Sequence, residues 1–333
     1  MRFGVRMPAH HSIREVIATV RRAEAAGFDA AWFPDSHLNY REVWTTLGAV
    51  AVSTDRIQIG PTVTNLVSRH VTVTASAARA VSEAAPGRFL LGLGAGDSAI
   101  GFDGMRNSTL AQMREGVARL RALIAGEGVD FGGFEARLRG AAERPPIFIA
   151  GSGPKTLEMA GAIADGVIIM MGNVEAKMGH VRRGANAAGR PAPPVFIYTT
   201  GAVVDDLERV SKAFKAFCIR IAQLEGVGVF EEAGVKVELP SGGHVMGAQG
   251  DLGHAASHHD VAHLVDHLVS DEAALWYART RAILGSEDDI RAHLTRLREQ
   301  GVAGVTLTEL GGAKLPDHLI ETLGPLTRPF AGA

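Results

Sequence analysis

The sequence predicts an α/β protein, a (β/α)8 barrel with an insertion before its last strand. Eight short apolar segments follow one another along the 333 residues, and amphipathic helical patterns separate them. Regular alternation of strands and helices is typical of a parallel sheet, and eight such units favour a closed barrel over an open sheet. Many of the 40 glycines stand just after the apolar segments, as tight strand-to-helix loops require.

The elements are predicted from hydrophobic periodicity. Strands are predicted at 3–7, 30–33, 57–62, 89–93, 147–150, 166–170, 195–199 and 304–307. Helices are predicted at 13–26, 43–52, 71–84, 110–124, 156–162, 175–188, 205–222 and 288–300, with a closing helix near 315–326. A small hairpin is predicted at 129–134 before the fifth strand.

One long segment, from about 225 to 283, interrupts the repeat. Its first part, 225–257, is rich in Gly and His without clear periodicity, and two extra helices are predicted at 261–268 and 272–283. An insertion of this length on the helix-to-strand path is typical of a lid, an oligomer contact or an active-site wall. The rest of the chain contains no linker, so a single domain over 1–333 is predicted.

Composition excludes several classes of function. The net charge of −2 provides no basic field for nucleic acid or an anionic membrane. No apolar run approaches the roughly 20 residues that span a bilayer, and no signal-peptide pattern precedes the first strand. The single cysteine, Cys218, cannot form an intramolecular disulfide. We therefore expect a cytoplasmic protein with a small-molecule substrate.

Polar and small residues follow the predicted strands, where a barrel places its active site. Because the carboxyl ends of all strands share one rim, these residues are expected to lie together: Arg6, His10, Asp35, Ser36, His37, Thr62, Thr64, Asn65, Gly94, Gly96, Asp97, Gly151, Ser152, Gly153, Gly172, Asn173, Thr308 and Glu309.

Two of these groups have a structural alternative. Asp35 and His37 fit an acid/base group or a cofactor contact, but Asp35 or Ser36 could equally cap the next helix. The Gly151-Ser152-Gly153-Pro154 turn fits a phosphate site at a helix N-terminus, or simply a well-capped turn. Both alternatives stay open on sequence alone.

Histidines and Cys218 are interpreted structurally. His259, His263 and His267 are spaced four apart within a His-rich stretch, but no carboxylate or cysteine completes a zinc pattern. They are interpreted as a surface or interface stripe, and no metal is predicted. Cys218 stands among apolar helix positions and is interpreted as a packing residue.

Several motifs, in their order and spacing, resemble the bacterial luciferase-like superfamily, nearest to its F420-dependent methylenetetrahydromethanopterin reductase branch. The motifs are Phe3-Gly4-Val5, Ala30-Ala31-Trp32-Phe33-Pro34-Asp35-Ser36, Gly60-Pro61-Thr62-Val63-Thr64-Asn65, Thr74-Ala75-Ser76, Gly87-Arg88, Leu91-Gly92-Leu93-Gly94-Ala95-Gly96-Asp97, Ala150-Gly151-Ser152-Gly153-Pro154, Ala164-Asp165-Gly166-Val167 and, at the end, Gly285-Ser286 with Gly301-Val302-Ala303-Gly304-Val305.

The resemblance implies a TIM barrel that carries coenzyme F420 or, alternatively, FMN across its carboxyl rim. It assigns the cofactor ring to Asp35, Thr62, Val63, Thr64, Asn65, Gly94, Ala95, Gly96 and Asp97. It assigns the phosphate tail to Gly151, Ser152, Gly153, Gly172 and Asn173. It further implies a non-prolyl cis peptide, which would be Thr62–Val63, and a homodimer, for which the face at 214–221 is a candidate contact.

The implied activity is hydride transfer between F420 and a small organic substrate; the alternative is an FMN-dependent monooxygenase using reduced flavin and O2. A barrel that binds its ligand without catalysis is a third hypothesis. The reductases carry an acidic residue on strand one where this chain has Arg6, which suits an anionic or carbonyl-bearing substrate. An ion pair between Arg6 and Glu309 is the structural alternative. His37 or His10 is predicted to transfer the proton, and Arg6 is the third candidate catalytic residue.

Overall fold

The computed structural model describes residues 1–8, 10–96, 98–101, 104–140, 143–240, 246–247, 250–251, 262–312 and 314–330. Its centre is a ring of parallel strands, which are β1 Arg2–Arg6, β2 Ala30–Phe33, β3 Gln58–Pro61, β4 Leu91–Leu93, β5 Ile147–Ala150, β6 Gly166–Met170, β7 Val195–Val203 and β8 Gly304–Thr308. They pair in the order β3-β2-β1-β8-β7-β6-β5-β4. Single parallel bridges join β3 to β4, so the barrel is nearly closed and the predicted fold class is confirmed.

Helices surround the strands. The longer ones are α1 Ile13–Ala26, α2 Val43–Ala51, α3 Val71–Ala84, α4 Leu110–Ile124, α5 Pro154–Ile163, α6 Val174–Ala187, α7 Lys215–Glu225, α8 Asp271–Arg281, α9 Glu287–Glu299 and α10 Asp317–Thr327. Shorter α-helical turns are Ser98–Gly101, Leu207–Ser211 and Gly228–Glu231, and 3-10 turns are Lys212–Phe214, Ala262–Val265 and Arg328–Phe330. Two small hairpins pair Val129–Asp130 with Glu135–Ala136, and Met246–Gly247 with Gly250–Asp251.

Helix α1 shows how local sequence sets these boundaries. Ser12 and Glu15 form a reciprocal capping box at its start, and Gly27 ends it in the left-handed conformation at φ 94°. Between these ends Val16 and Val20 are fully buried against the barrel. Caps at both ends and an apolar face fix the helix where the periodicity predicts it.

Aromatic rings fill the barrel interior below its carboxyl rim. Trp32, Phe148 and Phe196 form a chain with ring centroids 6.1 and 5.2 Å apart. Glycines on adjacent strands provide the room: a Cβ on Gly166 would lie 2.6 Å from Phe148, and one on Gly304 2.6 Å from Phe196. This alternation of large and small residues closes the middle of the barrel and leaves the rim as the place for a site.

Strand β3 contains a bulge beside β4. Between the two bridges the chain runs from Ile59 to Thr64 on β3 but only from Phe89 to Leu93 on β4, so β3 accommodates one additional residue. The predicted cis peptide Thr62–Val63 lies within this bulge. Gly94 faces it, where a Cβ would come within 2.6 Å of Val63 Cγ2.

The segment between β7 and β8 differs from prediction. The helix expected at 205–222 is broken into Leu207–Ser211, a 3-10 turn and α7, and the helix expected at 261–268 is only the 3-10 turn Ala262–Val265. The helix expected at 272–283 ends at Arg281, because Ile283–Gly285 pairs in parallel with the extension of β7. The excursion therefore leaves from the carboxyl end of β7 and returns beside it, so the predicted helix-to-strand path is wrong.

A second hydrophobic cluster forms within this excursion. Phe214 stacks on Tyr277 at 5.3 Å, and Cys218 is fully buried with its Sγ 3.6 Å from the carbonyl oxygen of Ala273. The packing role predicted for Cys218 is confirmed. The 214–221 face is unsuited as a dimer contact, because Phe214 and Ile221 are buried against the chain's own α8 and its neighbours. None of the described helices is long and apolar enough to cross a bilayer.

Candidate active site at the carboxyl rim

Unpaired polar atoms gather at the carboxyl ends of the strands. Among the described residues, the buried side-chain atoms without a hydrogen-bond partner are His10 Nε2, Trp44 Nε1, Thr62 Oγ1, Asn65 Nδ2, Arg281 Nε and Thr308 Oγ1. Only Trp44, in α2, lies on a barrel helix. Buried polar atoms in native proteins are normally paired, so this concentration at one rim indicates a ligand site.

Arg6, Tyr40 and His10 form one wall of the rim. Arg6 Nη2 donates to the Tyr40 hydroxyl at 2.7 Å, and its guanidinium carbon lies 5.2 Å from the centre of the Tyr40 ring. The His10 ring packs on the same ring with centroids 4.7 Å apart. Burial lowers the pKa of His10 and outweighs its hydrogen bond to the Asn39 carbonyl oxygen, while the nearby Arg6 charge lowers it further. The imidazole is therefore neutral near pH 7.

The Arg6–Glu309 ion pair considered from the sequence is not formed. Glu309 instead accepts hydrogen bonds from the backbone N–H groups of Leu310, at 3.1 Å, and Leu319, at 2.8 Å. The second of these bonds caps the start of α10. Burial raises the pKa of the Glu309 carboxyl despite these bonds. Glu309 thus has a structural role at the rim, and among the described residues Arg6 has no carboxylate partner.

Asp35 is buried after β2 and does not cap a helix. Its Oδ2 accepts a hydrogen bond from Thr64 Oγ1 at 2.6 Å and pairs with Arg69 Nη1 at 2.5 Å. Arg69 also pairs with Glu42 at 2.8 Å, and Glu42 is the residue that caps α2. The capping alternative for Asp35 and Ser36 is therefore wrong. Asp35 fastens the bulge of β3 to the loop after β2.

Asn65 holds the loop that follows the bulge. Its Oδ1 accepts from the backbone N–H groups of Val67, at 2.9 Å, and Ser68, at 2.8 Å. These bonds orient the amide so that Nδ2 is buried without a partner. The neighbouring loop after β4 joins the bulge, since Gly94 N donates to the Thr64 carbonyl at 2.9 Å. Thr62, Val63, Thr64, Asn65, Gly94, Ala95 and Gly96 are thus contiguous, as the ring site requires.

Two helix N-termini open on the opposite part of the rim. Helix α5 begins at Pro154 after the N-cap Gly153, and no side chain caps it, so Ser152 does not supply the cap. Helix α6 begins after Gly172 and Asn173, which both have positive φ, and Asn173 likewise makes no capping bond. Uncapped N-terminal N–H groups attract phosphate. The side-chain cap that Ser152 could have supplied is therefore not formed, and the phosphate site at Gly151, Ser152 and Gly153 stays a prediction.

A buried carboxylate lies between two cations next to Gly172. Glu225, at the end of α7, pairs with Lys177 Nζ at 2.9 Å and with Arg281 Nη2 at 2.8 Å. Burial alone would raise the pKa of Glu225, but the hydrogen bonds from Arg281 and Lys177 bring it below its usual value. Arg281 Nη1 also donates to the Met171 carbonyl at 3.4 Å. These contacts attach the excursion after β7 to the rim.

The remaining candidate residues from the sequence analysis are either exposed or outside the described part of the chain. His37 lies in the loop after β2 and is exposed. Asp97 and the histidines His254, His258 and His259 lie outside the described residues. Within the part of the chain that is described, no group of three His, Cys, Asp or Glu side chains could hold a metal ion.

Sequence reasoning missed three residues of the rim. Tyr40 and Arg69 lie in the loops after β2 and β3, and counting every polar loop residue beyond a strand end would have included them. Arg281 gave no local signal, because it reaches the rim only through the excursion after β7.

The fold and rim define a (β/α)8 barrel whose carboxyl end carries unpaired buried polar atoms and two helix N-termini without side-chain caps. Residues 1–304 match the model of the luciferase-like monooxygenase family, and the chain belongs to this family. The resemblance drawn from the motifs is thereby confirmed.

One relative and two solved structures show which members of the family this chain is similar to. The chain is 30% identical over 318 residues to the 5,10-methylenetetrahydromethanopterin reductase of Methanolobus tindarius, covering 92% of this chain and 93% of that one. The solved coenzyme F420-dependent tetrahydromethanopterin reductase from Methanopyrus kandleri has a TM-score of 0.74 at 22% identity, over 99% of both chains. A solved F420-dependent secondary alcohol dehydrogenase, in complex with an F420–acetone adduct, has a TM-score of 0.72 at 16% identity, over 98% of this chain and 97% of that one.

Proposed function

We propose that this protein is an F420-dependent oxidoreductase that transfers a hydride between the deazaflavin and a small organic substrate. The observation that supports the proposal is the presence of two features on the same rim. Buried polar atoms of Thr62 and Asn65, at the β3 bulge, have no hydrogen-bond partner, and helices α5 and α6 begin without side-chain caps. A flat polar ring and an anionic tail are the two ends of such a cofactor. The F420-dependent names of similar proteins support the same choice.

The residues at the rim fit the cofactor. Thr62 Oγ1 and Asn65 Nδ2 would bind the polar edge of the ring, with Asp35, Val63, Thr64, Gly94, Ala95 and Gly96 around it. Asp97 belongs to the same assignment but lies outside the described residues. Gly151, Ser152, Gly153, Gly172 and Asn173 would hold the phosphate tail through backbone N–H groups. When bound, the cofactor supplies a two-electron hydride acceptor or donor. The chain's own residues orient the substrate, exclude water and move the proton.

Proton transfer is proposed for the wall built by Arg6, Tyr40 and His10. His10 Nε2 is buried, unpaired and carried on a neutral ring, so it can accept a proton from a substrate hydroxyl. His37, which is exposed, is the second candidate. Arg6 would orient the substrate through its guanidinium.

A titration of the purified apoprotein with F420 and, separately, with FMN tests the proposal. Tight F420 binding with weak FMN binding is expected. The reverse order would favour the FMN-dependent monooxygenase alternative, and binding of neither would refute the site. Intrinsic fluorescence and calorimetry give independent affinities.

A matched pair of variants localises the binding. Asn65→Asp keeps the Oδ1 acceptor but removes the Nδ2 donor, so F420 affinity should fall about tenfold or more. Asn186→Asp introduces the same charge change at an exposed position of α6 and should leave affinity unchanged. Equal affinities for both variants would remove Asn65 from the ring site.

A homodimer, expected from the resemblance, and a cytoplasmic location, expected from the composition, stay proposals. Sedimentation velocity at two protein concentrations tests the first. A single monomeric species at both concentrations would reject it.

A further inference from the structure

Arg6 is a part-buried cation that has no counter-ion among the described residues of the rim. Within that part of the chain its side chain makes one hydrogen bond, to the Tyr40 hydroxyl, and forms no ion pair with a carboxylate. The buried carboxylates that follow the two strands flanking β1 are engaged elsewhere, Asp35 with Arg69 and Glu309 with backbone N–H groups. Withdrawing a guanidinium from water without an anion is costly, so this arrangement favours an anionic ligand.

His10 offers the opposite chemistry beside it. A carbonyl oxygen only accepts hydrogen bonds, so the 2.8 Å contact between His10 Nδ1 and the Asn39 carbonyl requires the proton to be on Nδ1. The neutral ring then carries its lone pair on Nε2, the buried atom that has no partner. A hydroxyl group is the ligand that such an atom accepts from.

Both groups pack on the Tyr40 ring, His10 at 4.7 Å between centroids and the Arg6 guanidinium carbon at 5.2 Å. One aromatic side chain therefore sets the spacing between a fixed cation and a fixed base. A small molecule that satisfies both must carry an anionic group close to a hydroxyl group.

We propose that the substrate is a small hydroxy carboxylate, whose carboxylate binds Arg6 and whose hydroxyl donates to His10 Nε2. This inference rests on the proposed F420-dependent function. In the oxidative direction the substrate C–H bond breaks, and its hydride passes with both electrons to the deazaflavin. The O–H proton passes to Nε2, and the carbon–oxygen bond becomes the carbonyl of an oxo acid. In the reductive direction protonated His10 returns the proton to the carbonyl oxygen.

Paired substrates test the role of the charge. Lactate and lactamide differ in the carboxylate but share the hydroxyl, and oxidation is followed as loss of deazaflavin absorbance. The wild type should prefer lactate, and Arg6→Met should lower kcat/KM for lactate by about 100-fold while changing that for lactamide by less than about threefold. Arg6→Lys should recover part of the loss for lactate. Equal effects on both substrates would overturn the proposal.

Binding measured without turnover separates substrate from cofactor. Calorimetry with oxalate on the F420-loaded protein should show binding that Arg6→Met abolishes, while the F420 affinity of Arg6→Met stays within about twofold of wild type. Equal loss of F420 affinity would show that Arg6 serves the cofactor's own anionic groups and would overturn the proposal. Circular dichroism of each variant, including the milder Arg6→Lys, distinguishes a folding defect from a loss of binding.

The pH profile tests His10. Oxidation requires the unprotonated Nε2, so kcat/KM for lactate should rise with pH along a limb centred below the ordinary His pKa of 6.5. His10→Gln should flatten that limb and lower the rate by about 100-fold or more. His293→Gln on the outer helix α9 is the control and should leave the limb in place. An unchanged limb in His10→Gln would remove His10 from proton transfer.

The outcomes distinguish the two proposals. Failure of wild-type protein to bind F420 would refute the proposed function itself. Binding of F420 with oxidation of neutral alcohols as fast as hydroxy acids would retain that function and overturn the carboxylate specificity alone.

Discussion

A Cβ atom on Gly92 would lie 2.2 Å from the carbonyl oxygen of Pro61. The two strands on which these residues stand, β4 and β3, meet through single bridges on either side of the bulge. The close approach of Gly92 is therefore what lets the bulge sit against its neighbour. Because the obstacle is a backbone atom, it cannot move without displacing the strand.

Gly92→Ala is expected to destabilise the fold by about 1–3 kcal/mol, since the added methyl group overpacks a site bounded by backbone. Urea unfolding followed by circular dichroism measures the change. Gly48→Ala in α2 is the matched control. A Cβ there meets nothing within 4 Å, so the helix should gain about 0.5–1 kcal/mol. Destabilisation by Gly48→Ala as large as that by Gly92→Ala would contradict the close approach.

Glu225→Gln is expected to cost about 3–5 kcal/mol of unfolding free energy, because Lys177 and Arg281 would both lose their buried counter-charge. The loss should appear as a lower urea midpoint. Glu158→Gln serves as the control: the Glu158 carboxylate and its partner Arg183 are solvent-exposed and His180 is only partly buried, so losing these contacts should lower the unfolding free energy much less than Glu225→Gln does. Similar costs for the two variants would show that the Glu225 cluster is not a buried one.

The Glu309 pKa leads to a pH-dependent prediction. A carboxyl whose pKa is raised on folding binds its proton more tightly in the folded state. It therefore favours folding at low pH, and this contribution is lost as pH rises from the ordinary value of 4.5 through the folded value. The stability of wild type relative to Glu309→Gln should consequently fall as the pH rises above the ordinary carboxyl pKa of 4.5. Chemical unfolding at several pH values measures it, and an increase with pH would contradict the burial of this carboxylate.

Cys218 should be inert in the native protein. Burial raises the pKa of its thiol well above the ordinary value of 9.0, and the thiolate is the reactive species. Labelling with a chromogenic disulfide should proceed at the rate of local or global opening, and immediately in denaturant. Fast labelling of native protein, with a rate that depends on reagent concentration, would show that the excursion after β7 (residues 207–282) does not shield the Cys218 thiol.

The sequence predicts the barrel because each strand is an apolar run and each helix has one apolar face, both of which are local signals. The cis peptide Thr62–Val63 followed from the resemblance carried by the motif around Thr62 and Asn65, whereas the ring site assigned to that motif stays a prediction. Contacts between distant segments were beyond local patterns. Nothing around Glu225 shows that Arg281 will face it, and nothing around Ile283 shows that pairing with β7 will end the preceding helix.

The lack of a carboxylate partner for Arg6, within the part of the chain that the structure describes, likewise could not be predicted from the sequence. It depends on Glu309 being occupied by the N–H group of Leu319, a contact made only when α10 packs against the barrel. The residue types alone do not decide whether Arg6 pairs with Glu309. The contacts that Glu309 makes in the folded chain decide it.

The return of Ile283–Gly285 to the side of β7 has an evolutionary consequence. Val204 N donates to the Gly285 carbonyl at 2.9 Å, so the points where the chain leaves and rejoins the barrel are neighbours. A segment whose two ends are already joined can be lengthened, shortened or exchanged at little cost in loop-closure entropy. The 207–282 region is thus a module that natural variation or recombination can replace, diversifying what the barrel accepts while its cofactor-facing strands stay constant.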